Sequence, residues 1–277
     1  MPPPYNDEPA KEGLSDSARL DQFYHSQEGQ MVAGFLQKAM RPFLGLEADI
    51  DRLGFGYPFM CLPSSLLLPS PLAKSTLPVL IPSEMGALAY GSDEAVMTAA
   101  IASSSWPIAS DSMNQIIMCH GLEYCHDGEG ALAEANRVLV SAGELVLMVP
   151  NRASLWVRNE ATPFGHGRPF SKGQISKLLA KTGFTITSLS RALFLPPHLL
   201  RAPARLAKGM DHLGHYGWGL FGGVILVRAT KLHYATMPKG RGKVMVSLSG
   251  ALRPARRPAL PLSSRRHNLH SKLVKFI

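Results

Sequence analysis

The chain has 277 residues, of which 45% are hydrophobic and 18% charged, an ordinary composition for a globular protein with a sizeable core. No stretch reaches the roughly 18 uninterrupted apolar residues of a membrane-spanning helix, and the acidic, proline-rich start does not resemble a secretory signal. We therefore expect a cytoplasmic protein that is not transmembrane. Its cysteines, Cys61, Cys119 and Cys125, form no CxxC pair, so the sequence predicts reduced thiols and no metal site.

The net charge of +9 is concentrated at the C-terminal end. Residues 238–277 contain ten Lys or Arg and no Asp or Glu, which leaves a net charge of −1 on residues 1–237. We interpret 238–277 as a disordered basic tail, and its clustered charge also indicates a second role, contact with nucleic acid or anionic lipid. The predicted domains are a disordered lead over 1–16, a folded domain over 17–237 with its core at about 45–232, and the tail.

The first half of the folded domain begins with a helical pattern. Apolar residues at three- and four-residue steps predict an amphipathic helix over 17–42, with Gly29 as the candidate break. Strands are expected over 50–56, where the chain runs into a glycine turn, and over 77–81; the prolines between them predict a short or interrupted helix. Residues 95–102 fit either a third strand or part of a helix.

The second half alternates more clearly between strands and helices. The predicted elements are strands over 115–119, 144–149, 184–189 and 223–230, and helices over 127–139 and 171–183. This alternation predicts an α/β fold, a doubly wound, mostly parallel seven-stranded sheet. Ligands of such sheets bind outside the carboxyl ends of the strands. The candidate site is therefore expected at 54–57, 83–86, 120–124 and 150–155.

Three successive segments carry a resemblance to a known family. Residues 113–124 read MNQIIMCHGLEY, residues 131–139 read ALAEANRVL and residues 143–151 read GELVLMVPN. They resemble the fourth strand, the following helix and the fifth strand of class I S-adenosylmethionine-dependent methyltransferases of type 11, whose patterns are hxLEH, ExxRVLKPGG and xPN. The resemblance implies the Rossmann-like methyltransferase fold, S-adenosylmethionine as cofactor and a small-molecule methyl acceptor.

The resemblance also implies which residues contact the cofactor. They are Gly54, Phe55, Gly56 and Tyr57 of the glycine turn, Glu84 and Met85 after the second strand, and His120, Gly121, Leu122 and Glu123 after the fourth. If the reaction needs a base, His120 is the candidate catalytic residue, because an imidazole titrates near neutral pH. Packing at a strand end is the alternative for His120, and bracing of a loop is the alternative for Glu123. For Arg137 we expect a helix cap or an ion pair.

Several positions depart from the family's pattern. Arg52 replaces the acidic residue before the glycine turn, and Pro58 stands at the third glycine. Glu84 reaches the ribose only if the turn after the second strand is unusual, the acid expected near 103–107 is missing, and Asn114 replaces an aspartate. These departures keep a second hypothesis open, a degraded methyltransferase-like protein that acts as a binding or regulatory module through its basic tail.

Two long connections are candidates for covering the site. Residues 151–168 are polar and aromatic and are predicted to form a substrate lid, whereas 194–222 form either a second cover or a simple connection. A third hypothesis, methylation of nucleic acid guided by the tail, is weaker because the fourth strand does not end in the [DNS]PP[YFW] signature of amino-methyltransferases.

Overall fold

The computed structural model describes residues 14–45, 50–62, 77–86, 91–92, 95–96, 98–160, 162–200 and 221–232. Within these residues a seven-stranded sheet has the order β3-β2-β1-β4-β5-β7-β6. Its strands are β1 (Arg52–Gly56), β2 (Val79–Pro82), β3 (Thr98–Ile101), β4 (Met113–Cys119), β5 (Leu139–Pro150), β6 (Phe184–Ala192) and β7 (Val224–Lys231). β7 runs in the opposite direction to the other six strands, which are parallel to one another, so the predicted mostly parallel sheet is confirmed.

Helices cover both faces of the sheet. The described helices are α1 (Asp16–His25), α2 (Gln27–Met40), α3 (Gly128–Val138) and α4 (Lys172–Lys181). The first two pack on one face and the last two on the other, each pair over its own cluster of buried apolar side chains. β4 contributes to both clusters, because successive side chains of a strand point to opposite faces. Ile117 and Cys119 lie on the α1–α2 side, while Ile116 and Met118 lie on the α3–α4 side.

The predicted N-terminal helix is divided, but the break lies at Ser26 and the expectation for Gly29 was wrong. The Ser26 hydroxyl accepts a hydrogen bond from the Gly29 amide at 3.0 Å and so caps α2. Gly29 itself lies inside α2, where an added Cβ would collide with the carbonyl of Phe23. The glycine therefore permits close packing of α2 on the end of α1, and the serine makes the turn.

The bounds of other elements also differ between the prediction and the structure. The ambiguity over 95–102 is resolved in favour of strand: Thr98–Ile101 is β3, and Ala95–Val96 pairs with Gly91–Ser92 in a separate, two-stranded antiparallel sheet. β5 begins at Leu139, five residues before the prediction, because Leu139 pairs with Met113 across an irregularity in the β4–β5 register. Between β1 and β2 the structure describes a 3₁₀ turn, Phe59–Cys61, and the remainder of the predicted interrupted helix lies outside the described residues.

Arg137 ties α3 to the segment before β4. Its guanidinium pairs with Glu134 at 2.8 Å and donates to the carbonyl oxygens of Ile108 and Trp106 at 3.0 and 3.1 Å. The hydrogen bond from Arg137 lowers the pKa of the Glu134 carboxyl, despite the partial burial that opposes this shift. Arg137 is therefore a structural residue, which agrees with its expected role in an ion pair.

Replacing Arg137 with Met should reduce the free energy of unfolding by about 1–3 kcal/mol, because two carbonyl oxygens and Glu134 lose their charged donor. Urea unfolding followed by circular dichroism measures the loss. Lys181→Met is the matched control, since Lys181 forms an exposed ion pair with Glu129 and should cost less than about 1 kcal/mol. Equal losses in the two variants would contradict a structural role for Arg137.

The lowered pKa of Glu134 also predicts a dependence of stability on pH. A carboxyl whose pKa is lower in the folded than in the unfolded chain stabilises the fold above its ordinary pKa of 4.5, and this stabilisation is lost as the pH falls. We expect Glu134→Gln to lose less stability than the wild type between about pH 5 and pH 3. If the free energy of unfolding fell equally in the two proteins between about pH 5 and pH 3, this expectation would be refuted.

Candidate active site at the carboxyl edge of the sheet

The ends of β1 and β4 make very close backbone contact. Gly56 has φ of 84°, and an added Cβ would strike the Cys119 carbonyl and lie 2.6 Å from the Cα of Gly121. The Tyr57 amide donates to the same carbonyl at 2.7 Å. Glycine is therefore required at position 56 by the packing of the chain against itself. β1 and β4 flank the point where the strand order reverses, which is where ligands bind in doubly wound sheets.

His120 occupies the first position after β4 and is almost completely buried, with 1% of its side chain exposed. Its φ of 47° is unusual for a residue with a side chain. Nδ1 lies 3.1 Å from Oε1 of Glu123, and Nε2 lies 2.6 Å from the hydroxyl of Tyr24. When Nδ1 donates to the carboxylate of Glu123, Nε2 of the neutral ring accepts from Tyr24. Burial raises the pKa of Tyr24, so its hydroxyl keeps its proton at neutral pH.

Glu123 has unusual surroundings for a carboxylate. Its side chain has no exposed surface, and Oε2 has no hydrogen-bond partner among the described residues. Its backbone carbonyl accepts from the Arg168 amide at 2.8 Å, and Gly167, with φ of 73°, packs against the side chain. The segment between β5 and α4 therefore closes over Glu123.

α1 closes over the same edge from the other side and contacts the loops that follow four strands. These contacts are Ser17 Oγ to the Gly86 carbonyl at 2.9 Å, the Tyr57 hydroxyl to Asp21 Oδ1 at 2.8 Å, the Tyr24 hydroxyl to His120 Nε2 at 2.6 Å, and an edge-to-face contact of the Phe23 and Phe164 rings at 6.1 Å. The Tyr24 ring also stacks on Tyr57, with the ring centroids 6.0 Å apart. We call α1 together with residues 162–168 the cover.

Glu84 stands beyond the end of β2, at the other side of the edge. Oε1 accepts a hydrogen bond from Ser103 at 2.8 Å, and Oε2 accepts one from Ser83 at 3.3 Å. Burial raises the pKa of Glu84, but hydrogen bonds from its own backbone amide and from Ser103 outweigh it, and the net pKa is lowered. Glu84 is therefore ionised at neutral pH, with part of its side chain exposed.

The structure groups some of the residues expected at the site and separates others. Gly56, Tyr57, His120, Gly121 and Glu123 meet at the ends of β1 and β4. The remaining candidates pack elsewhere: Gly54 lies against Val79 and Pro58, Phe55 stacks on Trp106 at 4.9 Å, Met85 is buried on the α1–α2 face and Leu122 on the α3–α4 face.

Sequence reasoning missed the contribution of α1. Tyr24 and Asp21 bond to the site from a helix that was interpreted only as an amphipathic lead. A signal was present, because a polar hydroxyl at Tyr24 falls on the apolar stripe and a buried hydroxyl needs a partner. The predicted lid over 151–168 does contribute Phe164, whose ring meets that of His120 at 5.2 Å. Of the second long connection, residues 201–220 lie outside the described residues.

Two departures from the family's pattern have local structural explanations. The guanidinium of Arg52 is buried and donates to Oε1 of Gln115 at 3.1 Å. Asn114 Oδ1 accepts from the amide of Asp51 at 3.1 Å. Both side chains join β1 to β4 at the amino ends of the strands, away from the candidate site.

Neither a membrane span nor a metal centre is found in the part of the chain that the structure describes. No helix there is long and apolar enough to cross a bilayer, and no three His, Cys, Asp or Glu side chains form a group that could hold a metal ion.

Tyr24→Phe should lower the free energy of unfolding by about 1–3 kcal/mol, because it leaves buried Nε2 of His120 without its partner. Urea unfolding measures the change. Tyr124→Phe is the matched control, since the Tyr124 hydroxyl makes a longer, part-buried bond of 3.3 Å to the Pro163 carbonyl and should contribute less. A loss for Tyr24→Phe no greater than for Tyr124→Phe would show that the His120 bond does not hold the cover.

Solved structures of other proteins share this fold. No family model matches the sequence, and no curated protein has a matching sequence. Among solved structures, a methyltransferase from Thermotoga maritima, described as a possible histamine N-methyltransferase, is similar with a TM-score of 0.54 at 16% identity, over 78% of this chain and 97% of that one. A geranyl diphosphate methyltransferase in complex with S-adenosylmethionine is similar with a TM-score of 0.50 at 18% identity, over 79% and 96%. The chain therefore has the Rossmann-like fold of class I S-adenosylmethionine-dependent methyltransferases.

Proposed function

We propose that the chain is a cytoplasmic S-adenosylmethionine-dependent methyltransferase of type 11 that acts on a small molecule. The observation that carries this proposal is the set of polar side chains along the carboxyl edge of the sheet, on either side of the point where the strand order reverses. Ionised Glu84 stands beyond the end of β2, and the buried pair of His120 and Glu123 stands beyond the end of β4. Polar groups gathered in an otherwise apolar crevice are typical of small-molecule sites.

The polar residues that follow β2 and those that follow β4 both suit the chemistry of S-adenosylmethionine. The carboxylate of Glu84 can accept hydrogen bonds from ribose hydroxyls, as acids in this region of nucleotide-binding sheets do. The unpartnered Oε2 of Glu123 suits a hydrogen-bond donor or a positive charge. The Tyr24 ring stacks on that of Tyr57, the residue after Gly56, and the Glu123 side chain has no exposed surface. Binding at Glu123 therefore requires that the cover move.

The bound cofactor supplies an electrophilic methyl group, and the chain's own residues orient the acceptor and exclude water. The cover already keeps water from His120. When Tyr24 moves away, Nε2 of His120 becomes free to take a proton from an acceptor hydroxyl or amine. Glu123 fixes the tautomer by accepting from Nδ1, so the basic nitrogen points towards the cover.

A second function is favoured by the closure of the site. His120 and Glu123 are buried beneath the cover, as expected if a degraded methyltransferase-like protein acted as a binding or regulatory module through its basic tail. The tail over 238–277 lies outside the described residues, so its contact with nucleic acid or anionic lipid stays a prediction, as do the domain boundaries.

Calorimetric titration with S-adenosylmethionine and S-adenosylhomocysteine tests the proposal. We expect the wild type to bind both, and Glu84→Gln to bind both about tenfold more weakly, because a charged acceptor of the ribose hydroxyls is lost. Glu144→Gln is the matched control, since Glu144 pairs with Arg228 in the part of β5 that lies beside the start of β4, away from the carboxyl edge. Gly56→Val is a poor probe here, because its side chain would strike Gly121 and disturb the fold.

The outcomes separate the two functions. Binding by the wild type and by Glu144→Gln, but weakened in Glu84→Gln, supports the enzyme. No binding to the folded wild type up to millimolar ligand would reject cofactor use and leave the binding module as the better hypothesis.

A further inference from the structure

The starting point is the buried carboxylate of Glu123. Oε1 is bonded to His120, but Oε2 has no partner among the described residues, although the side chain has no exposed surface. An unpaired buried polar atom destabilises the fold, and does so more strongly when it is charged. Such a cost at the carboxyl edge of a doubly wound sheet indicates a group kept for a ligand.

The charge around Glu123 is unbalanced. His120 is its only ion-pair partner among the described residues, and Oε2 stays unpartnered whichever nitrogens of that ring carry protons. The negative field reaches the neighbours: burial raises the pKa of the Tyr124 hydroxyl, and the charge of Glu123 raises it further. The pKa of the Cys125 thiol is raised to about 12 by burial first and then by the charges of Glu84 and Glu123.

Aromatic rings surround His120, the partner of Glu123. The ring of His120 lies 5.7 Å from that of Tyr24 and 5.2 Å from that of Phe164. Phe164 in turn meets Trp156 at 5.0 Å, and Tyr24 stacks on Tyr57. The faces of aromatic rings attract cations, most strongly where water is excluded.

We propose that Oε2 of Glu123 and the ring of Phe164 form a binding site for a positively charged group of a ligand, which the Tyr24 ring covers while α1 is in place. The carboxylate supplies the counter-charge, and the Phe164 ring supplies a cation–π contact in place of water. The identity of the ligand rests on the proposed function, which offers two sources of the same chemistry. One is the sulfonium centre of the cofactor, and the other is a protonated amine on the methyl acceptor.

The cover explains how the site is both buried and usable. Single hydrogen bonds and ring contacts join α1 to the strand-end loops, and its Leu20 and Tyr24 side chains are also fully buried in the core beneath it. Lifting α1 removes the Tyr24 ring from above His120 and opens one side of Glu123. Gly167 and Arg168 hold the other side through the Glu123 backbone, so the carboxylate stays in place when α1 moves.

The first test uses the full-length wild type without cofactor. Phenethylamine and phenethyl alcohol have nearly the same shape, but only the amine is charged at neutral pH. We expect calorimetry to show the amine binding about tenfold more tightly than the alcohol, which is the value of one charge-assisted hydrogen bond. A parallel titration compares S-adenosylmethionine, which is cationic at sulfur, with neutral S-adenosylhomocysteine.

Glu123→Gln identifies the source of the positive charge, with Glu144→Gln as the control and thermal unfolding as the check of folding. Loss of the amine preference assigns the site to the acceptor. A fall of about tenfold in the affinity ratio of the cationic to the neutral cofactor assigns it to the sulfonium. Absence of both effects in a folded variant overturns the proposal, as does a wild type that prefers neither cation.

A second variant and the amine–alcohol pair test the cation site independently of Glu123→Gln and of cofactor binding. If Glu123→Gln does not fold, Phe164→Leu removes one ring instead and should reduce the cationic preference about threefold, whereas an unchanged preference counts against the site. If neither form of the cofactor binds, the proposed function fails, but the amine and alcohol pair still decides the existence of the cation site.

Discussion

The contact between the backbones of Gly56 and Gly121 determines the geometry of the whole carboxyl edge. Because no side chain fits between them, β1 and β4 end close together, and the chain must turn sharply after each. The turn after β4 places His120 at a positive φ and directs its ring towards α1. Glu123 returns three residues later to hold that ring, and α1 packs on the result. Local backbone packing therefore creates the pocket of buried polar groups.

The carboxylates at the two ends of the sheet differ in their ion-pair partners. At the amino ends of β1 and β4, polar side chains join these strands to the neighbouring β5 and β7: Arg52 bonds to Gln115 at 3.1 Å, Gln115 to Glu144 at 3.4 Å, and Arg228 to Glu144 at 2.9 Å. There a carboxylate has an arginine partner, as structural ion pairs require. At the carboxyl ends, His120 is the one ion-pair partner of Glu123 within the described part of the chain, and Oε2 of Glu123 has no partner there. This contrast separates residues that hold the sheet together from those available to a ligand.

The sequence predicted much of the fold, because local signals agree with the tertiary structure. The apolar run of β4, the helical spacing of α3 and the capping serine of α4 all gave the right element near the right place. The break at Ser26 was misassigned because a buried glycine resembles a helix breaker when its packing partner is unknown. The early start of β5 was missed because it depends on pairing with β4, a contact between distant segments.

The candidate site was less predictable for the same reason. His120 and Glu123 were identified as site candidates from a local motif, but Tyr24 lies 96 residues from its partner His120. No local pattern in α1 indicates which loop its hydroxyl will reach. The resemblance placed Phe55 and Leu122 at the site by alignment, yet both side chains pack in the core on the α3–α4 face. A motif fixes the path of the backbone more firmly than the direction of its side chains.

The stability of the cover affects the apparent affinity for any ligand that binds beneath it. Hydrogen bonds of Ser17, Tyr57, Tyr24 and Arg19 join α1 to the strand-end loops, each contributing about 0.5–1.5 kcal/mol net, and Leu20 and Tyr24 are fully buried in the core. A ligand that needs α1 to lift must offset both the hydrogen bonds and this burial, so its apparent affinity is reduced in proportion to the fraction of molecules that are open. Weak binding of a cofactor would therefore measure the stability of the cover as well as the quality of the site beneath it. A cation that satisfies Oε2 of Glu123 gains a contact available only in the open state, which favours opening in its presence.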